Sequence, residues 1–354
     1  MIKGIKRFIR KNILELTPYS SARSLNLNGI LLDANENPYC NMNVIDNEIN
    51  INRYPDPFHT KMRKRLGEYL SINSENIIFG SGSDELIDLI IRIFCEPGND
   101  NIIIPNPTYG MYEVSAKINN VETKYFDLTD EFQILENDFN EAVDKNSKIL
   151  FLCSPNNPTG NLLNKNKVIN IIKAFNGIVV IDEAYIDFCN IEFSFMNELN
   201  NFNNIIILRT FSKAWGLAGL RLGYALASNE IVNIILNVKL PYNIGAVVSD
   251  LFFKAMDKEE IKRRNIDSII SERDRLYNEL STIKEIIKVY HSDANYILFQ
   301  ANKPIELFDY LIANGVVIRD RSKQIKNSLR VSIGTIEENN SFLMLLRKYY
   351  ETNN

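Results

Sequence analysis

The sequence has little of what metal- and thiol-based chemistries need. Its 354 residues include two histidines, His59 and His291, and four cysteines, Cys40, Cys95, Cys153 and Cys189, none in a C-x-x-C pair. That scatter argues against a His/Cys metal cluster and reads as reduced thiols in or near the core of a cytoplasmic protein. No run approaches the roughly 18 apolar residues of a membrane span. The basic start MIKGIKRFIRKNILEL is too interrupted by charge to hold the apolar stretch of a signal peptide. Excess positive charge is missing too: the net charge is -4, which gives no electrostatic ground for a nucleic-acid partner. The local run Lys61 to Arg65 is interrupted by Met62 and followed by Leu66, the pattern of a solvated helix face. There is no internal repeat.

What is present is a globular balance, 45% hydrophobic and 24% charged, in a chain long enough for two domains. Short β-branched runs end in loops rich in Gly, Pro, Asn, Asp or Ser. Ile102 to Ile104 leads to Pro105-Asn106-Pro107-Thr108-Tyr109-Gly110, and Lys148 to Cys153 leads to Ser154-Pro155-Asn156-Asn157-Pro158-Thr159-Gly160. Ile178 to Ile181 precedes Asp182-Glu183-Ala184-Tyr185, Asn204 to Leu208 precedes Thr210-Phe211-Ser212-Lys213, and Leu222 to Ala227 is a further strand. Helix-periodic segments such as Lys165 to Ala174 lie between them. This alternation predicts an α/β fold, a mostly parallel sheet covered on both faces.

Asp84 to Phe94 predicts a largely buried helix with acidic residues in its first turn, entered through Gly80-Ser81-Gly82-Ser83, a turn able to turn backbone N–H groups toward an anion. After Pro241 the pattern changes. A long helical stretch is expected over about Val247 to Leu280, followed by strands at Ala294 to Phe299, Val316 to Ile318 and Leu329 to Ile333. Helices near Ile305 to Ala313 and Glu337 to Tyr349 complete a smaller α+β domain.

In open α/β sheets ligands sit beyond the carboxyl ends of the strands. The residues found there in order are Tyr109, Asn157, Asp182, Tyr185, Ser212 and Lys213. That set matches neither a metal site nor a serine-hydrolase site, and it suits a pyridine-ring cofactor carrying a phosphate and an aldehyde. The blocks S-P-N-N-P-T-G at 154–160, D-E-A-Y at 182–185 and S-K-A-W-G-L-A-G-L-R-L-G-Y at 212–224, in this order and spacing, resemble the signatures of fold-type I pyridoxal-phosphate (PLP) aminotransferases of class II. L-D-A-N-E-N-P at 32–38, N-R-Y-P-D at 52–56 and L-R-V-S-I-G-T at 329–335 are similar, more narrowly, to the histidinol-phosphate aminotransferase family. The resemblance runs from about Leu16 to the end of the chain.

It implies a division into an arm at 1–45 joining the small domain, a large PLP-binding domain at 46–245 and a small α+β domain at 246–354. Lys213 would form the Schiff base and then carry the proton. Asp182 would face the pyridine nitrogen, Asn157 and Tyr185 the phenolic oxygen, and Tyr109 would stack on the ring. Ser83, Asp84, Ser212 and Arg221 would hold the phosphate, with Asp84 donating its backbone N–H and capping the helix. Tyr54 would reach the phosphate from a neighbouring subunit of a homodimer. Tyr19, Asn35, Arg319 and Arg330 are the implied substrate contacts, with Arg321 close enough to share a role with Arg319. The implied reaction moves an amino group between L-glutamate and imidazole-acetol phosphate, giving histidinol phosphate without a metal. A threonine-phosphate decarboxylase and a broad aromatic aminotransferase are the open alternatives on the same fold. A non-catalytic PLP-binding regulator is disfavoured, since about fifteen residues ahead of the resemblance are too few for a DNA-binding module.

Overall fold

Strands that alternate with helices through the first two-thirds of the chain build one seven-stranded sheet. The computed structural model describes residues 29–33, 35–39 and 53–353, so Tyr19 and Cys40 lie outside the described residues. The strands are β1 (Ile30–Leu31), β2 (Ile77–Gly80), β3 (Asn101–Asn106), β4 (Glu122–Asp127), β5 (Ser147–Cys153), β6 (Ile178–Asp182), β7 (Ile205–Thr210) and β8 (Gly223–Ala227). In the large sheet their order is β2-β8-β7-β6-β5-β3-β4. β8 runs antiparallel to both neighbours, and the rest pair in parallel.

Alternate residues of each central strand enter opposite cores, as a two-residue period requires. Ile103, Leu150, Leu152, Val179, Ile181, Ile205 and Ile207 join one cluster. Ile102, Ile104, Ile149, Phe151, Val180, Ile206 and Leu208 join the other. Both faces are therefore dry, which is why these strands read as continuous apolar runs. Each such side chain contributes about 1.5–3 kcal/mol by leaving water. The helix Ser83–Phe94 buries Leu86, Ile87, Leu89, Ile90 and Ile91 against the second cluster.

The carboxyl-terminal part adds β9 (Ile286–Val289), β10 (Tyr296–Ala301), β11 (Val316–Val317), β12 (Arg319–Asp320) and β13 (Ser328–Ser332). Four of them form an antiparallel sheet, β12-β13-β10-β9, while β11 pairs in parallel with β1. The expected strand at Val316 to Ile318 thus keeps only Val316–Val317, and Ile318 separates it from β12 in the other sheet. The long helical stretch after Pro241 is also divided, into Ala246–Met256 and Glu259–Ser281. The first closes at Asp257, whose backbone N–H bonds back to Phe253 and Ala255, and it packs Phe252, Ala255 and Met256 into the core of the large sheet. The second buries Ile269, Leu276 and Leu280 in the core of the small sheet. Two different cores, not a helix-breaking residue, separate them.

Candidate active site

The ends of β5, β6 and β7 and the loop after β7 open onto one cavity of about 460 Å³. Its wall includes Asn35, Ser83, Asp84, Tyr109, Asn157, Asp182, Tyr185, Ser212, Lys213, Arg221, Arg319 and Arg330. The expected contacts that the structure describes are thereby brought together, Tyr54 excepted. Tyr54 is 81% exposed and stacks on Tyr242 with ring centroids 4.6 Å apart.

Asp182 is the last residue of β6 and continues the face of Val180, toward the cluster that holds Phe151 and Tyr112. The Tyr112 hydroxyl donates to Asp182 Oδ2 at 2.8 Å, and the Ala184 backbone N–H donates to Oδ1 at 3.0 Å. Burial, aided by the nearby charges of Asp84 and Glu183, pushes the carboxyl up to about 6 against the pull of these two bonds. A buried carboxylate in this state is suited to a cation on its cavity side. The adjacent Glu183 goes elsewhere: its carboxylate receives Arg209 Nη2 at 2.8 Å, the Ser194 hydroxyl and the Phe195 N–H. The strand's alternation separates the two acids.

Lys213 follows β7, and its Nζ lies 5.8 Å from the centre of the Tyr185 ring. Burial, then the charge of Arg330, lowers its ammonium to about 8, while Glu36 and Asp84 oppose the shift. The Tyr185 hydroxyl accepts from the Asn35 amide at 3.0 Å and from the Asn157 amide at 3.3 Å. Arg330, on β13, closes the network by donating to Asn157 Oδ1 at 2.7 Å and to the Asp33 carbonyl at 2.8 Å. Its guanidinium also sits 5.0 Å from the centre of the Tyr296 ring. Asn35 adopts φ 53°, a conformation asparagine tolerates better than most residues, and its backbone N–H reaches Ser332 Oγ at 2.7 Å.

A second group of donors gathers where the helix Ser83–Phe94 begins. Its first N–H groups have no carbonyl within the helix to bond, and Gly82 at φ 79° leads into it. A Cβ on Gly82 would lie 2.7 Å from Arg221 Nη2, the movable end of a long side chain, so it is the φ of 79° that calls for glycine here. The Asp84 side chain does not cap the helix. Its carboxylate accepts from the Tyr109 hydroxyl at 3.1 Å and pairs with Arg221 at 3.4 Å. Ser212 is held at this end by Thr210, whose hydroxyl donates to Ser212 Oγ at 3.0 Å.

Arg319 and Arg321 both line the cavity from the edge of the small sheet, and Arg319 stands opposite Arg330 in the β12–β13 register. Glu36 and Thr210 line it too, and sequence reasoning named neither as a contact. It also passed over Tyr112, in the first turn of the helix Met111–Ile118, whose ring centre lies 5.5 Å from that of Tyr109.

The family model described as aminotransferase class I and II matches residues 28–344. The chain belongs to this family. It is 44% identical to a histidinol-phosphate aminotransferase of Cytophaga hutchinsonii over 353 residues, 99% of this chain and 100% of that one. The structure of the histidinol-phosphate aminotransferase from Clostridium acetobutylicum aligns with a TM-score of 0.83 at 27% identity, over 91% of this chain and 99% of that one. That of the histidinol-phosphate aminotransferase from Sinorhizobium meliloti, in complex with pyridoxal-5'-phosphate, shares the fold at a TM-score of 0.85 and 19% identity, over 96% and 98%. Among the described residues no helix is long and apolar enough to cross a membrane.

Proposed function

We propose that this aminotransferase moves an amino group between L-glutamate and imidazole-acetol phosphate, with pyridoxal 5'-phosphate seated in the 460 Å³ cavity. The observation that carries the reading is the pairing of opposites in one cavity: the amine of Lys213 and the buried carboxyl of Asp182, with four arginines in the same wall. The full-length likeness to a histidinol-phosphate aminotransferase supports the choice of substrate.

The donor set fits the cofactor. Asp182, buried and raised to about 6, gains a cationic partner if a protonated pyridine nitrogen sits beside it. Asn157 and Tyr185 would hold the ring's phenolic oxygen, Tyr109 its face, and Ser83, Asp84, Ser212 and Arg221 its phosphate. When bound, the ring supplies an electron sink for the charge left on the substrate's α-carbon. Lys213, lowered toward neutrality, is available as nucleophile and proton carrier at that carbon. Arg330 would take the carboxylate of glutamate and Arg319 the phosphate of the other substrate, since guanidinium forks accept either anion.

The exposure of Tyr54, and its stacking on Tyr242 away from the chain's own cavity, support a site completed by a second copy. A steady-state assay with histidinol phosphate and 2-oxoglutarate tests the reading. Stoichiometric glutamate is expected. Turnover confined to phenylpyruvate and other aromatic acceptors would move the enzyme to the broad aromatic class.

A further inference from the structure

Behind the loops that carry Tyr185 and Lys213 lies an ionic cluster that the transfer chemistry does not use. Lys262, near the start of the helix Glu259–Ser281, is only 5% exposed. Its Nζ lies 2.7 Å from Asp187 Oδ1, 3.4 Å from the Tyr69 hydroxyl and 4.6 Å from the centre of the Trp215 ring. A buried ammonium persists only where carboxylate, hydroxyl or aromatic faces replace its water, and here all three do. The carboxylate and the indole belong to different loops.

Asp187 stands two residues after Tyr185, in the short turn Ile186–Phe188, where the Phe188 N–H returns to the Tyr185 carbonyl at 3.1 Å. Trp215 stands two residues after Lys213, and the intervening turn is tied by the Gly216 N–H to the Lys213 carbonyl at 3.1 Å. Trp215 also packs on Phe211 at 5.2 Å and on Tyr69 at 5.9 Å. One ammonium thus touches the loop of the phenol and the loop of the reactive amine. Further along the same helix, Ile269, Leu276 and Leu280 enter the small-sheet core, so the contact also joins that core to both loops.

We propose that Lys262 is a positioning residue, which through Asp187 and Trp215 fixes the Tyr185 loop against the Lys213 loop and so sets the orientation and proton affinity of Lys213 toward its cofactor. The proposal rests on the cofactor reading given above. Errors of an ångström between reacting groups cost rate rather than affinity for distant parts of the substrate, so the expected signature is a fall in kcat with KM little changed.

Removing Lys262 alone leaves Asp187 without its partner, so the informative variant is K262M/D187N, which deletes both charges. In the PLP-loaded enzyme the pH midpoint of the visible band formed by PLP on Lys213 is expected to shift. The kcat for glutamate is expected to fall about tenfold to hundredfold, and K262R to recover part of both. Trp215 is the chain's one tryptophan, so its emission, with or without PLP, reports the clamp independently and is expected to shift as well. A folded K262M/D187N with unchanged midpoint, kcat and emission would overturn the proposal. If that variant does not fold, W215F keeps the ion pair and removes the indole; an unchanged midpoint and kcat there would overturn it equally. If the unmodified protein forms no band with PLP, the cofactor reading has failed, and the clamp then stands or falls on the Trp215 emission of K262M/D187N.

Discussion

The Tyr112 hydroxyl donates a 2.8 Å hydrogen bond to Asp182 Oδ2, and both residues are buried, at 0% and 3% exposure. The bond favours the ionised carboxylate against the burial that disfavours it. Y112F removes that support, so the Asp182 carboxyl should rise further above 6. If ionised Asp182 is needed for transfer, the acid limb of the kcat profile moves to higher pH, by about one unit for a loss of about 1.4 kcal/mol. A profile identical to that of the unmodified enzyme would separate Tyr112 from the chemistry.

Asp182 also carries a cost in stability. Its folded value, about 6, exceeds the ordinary aspartate value of about 3.9, so the folded protein binds the extra proton. Stability from this group is complete below the unfolded value and is lost as pH rises through the folded one. The difference of about two units corresponds to about 3 kcal/mol. Denaturant titration of the PLP-free protein at pH 4.5 and pH 7.5 should therefore show D182N gaining on the unmodified chain by about 2 kcal/mol at the higher pH, the part of this difference that lies between those two pH values. Equal pH responses would contradict the burial argument.

The sign for Lys213 is the reverse. Its value is depressed to about 8, so the stability tied to its neutral form is lost as pH falls through 8. At pH 7 K213M should melt no lower than the unmodified PLP-free protein, while its transamination rate falls by at least about 10²–10⁴-fold, the range of general acid–base catalysis. Melting curves and single-turnover rates on the same preparation check both halves.

Arg330 and Arg319 face each other across β12 and β13 and are assigned different anions. R330Q should raise KM for glutamate about tenfold or more, since charge-assisted hydrogen bonds contribute about 1.5–3 kcal/mol. R319Q should act chiefly on histidinol phosphate. An effect of R330Q confined to the phosphorylated substrate would exchange the two assignments. Loss of the Arg330 bond to Asn157 also predicts weaker PLP retention in R330Q.

The exposed Tyr54 and Tyr242 pair predicts a dimer in sedimentation at micromolar protein. It also predicts that Y54A weakens PLP binding without unfolding the chain. A monomer retaining full PLP affinity would leave Tyr54 outside the site.

The central strands could be read because both faces of the large sheet are dry: Ile102 to Ile104 and Ile178 to Ile181 are uniformly apolar. The edge strand β4 was not anticipated, since Glu122, Thr123, Lys124 and Tyr125 are at least partly solvent-facing, and polar runs carry no strand signal of their own. The cavity could be read where its wall is made of residues at strand ends, as at Asp182 and Lys213. Tyr112, Arg209 and Lys262 could not, because their partners, Asp182, Glu183 and Asp187, are set by packing between distant segments. Tyr19 lies outside the described residues, so its place over the substrate remains a proposal.

The most direct measurement is the absorption spectrum of the purified PLP-loaded enzyme during a single addition of histidinol phosphate, with no second substrate. Conversion of the bound cofactor to its pyridoxamine form, with one equivalent of imidazole-acetol phosphate released and neither change in K213A, is the expected result. A spectrum indifferent to histidinol phosphate that changes with threonine phosphate, with release of CO₂, would contradict it and make the enzyme a decarboxylase.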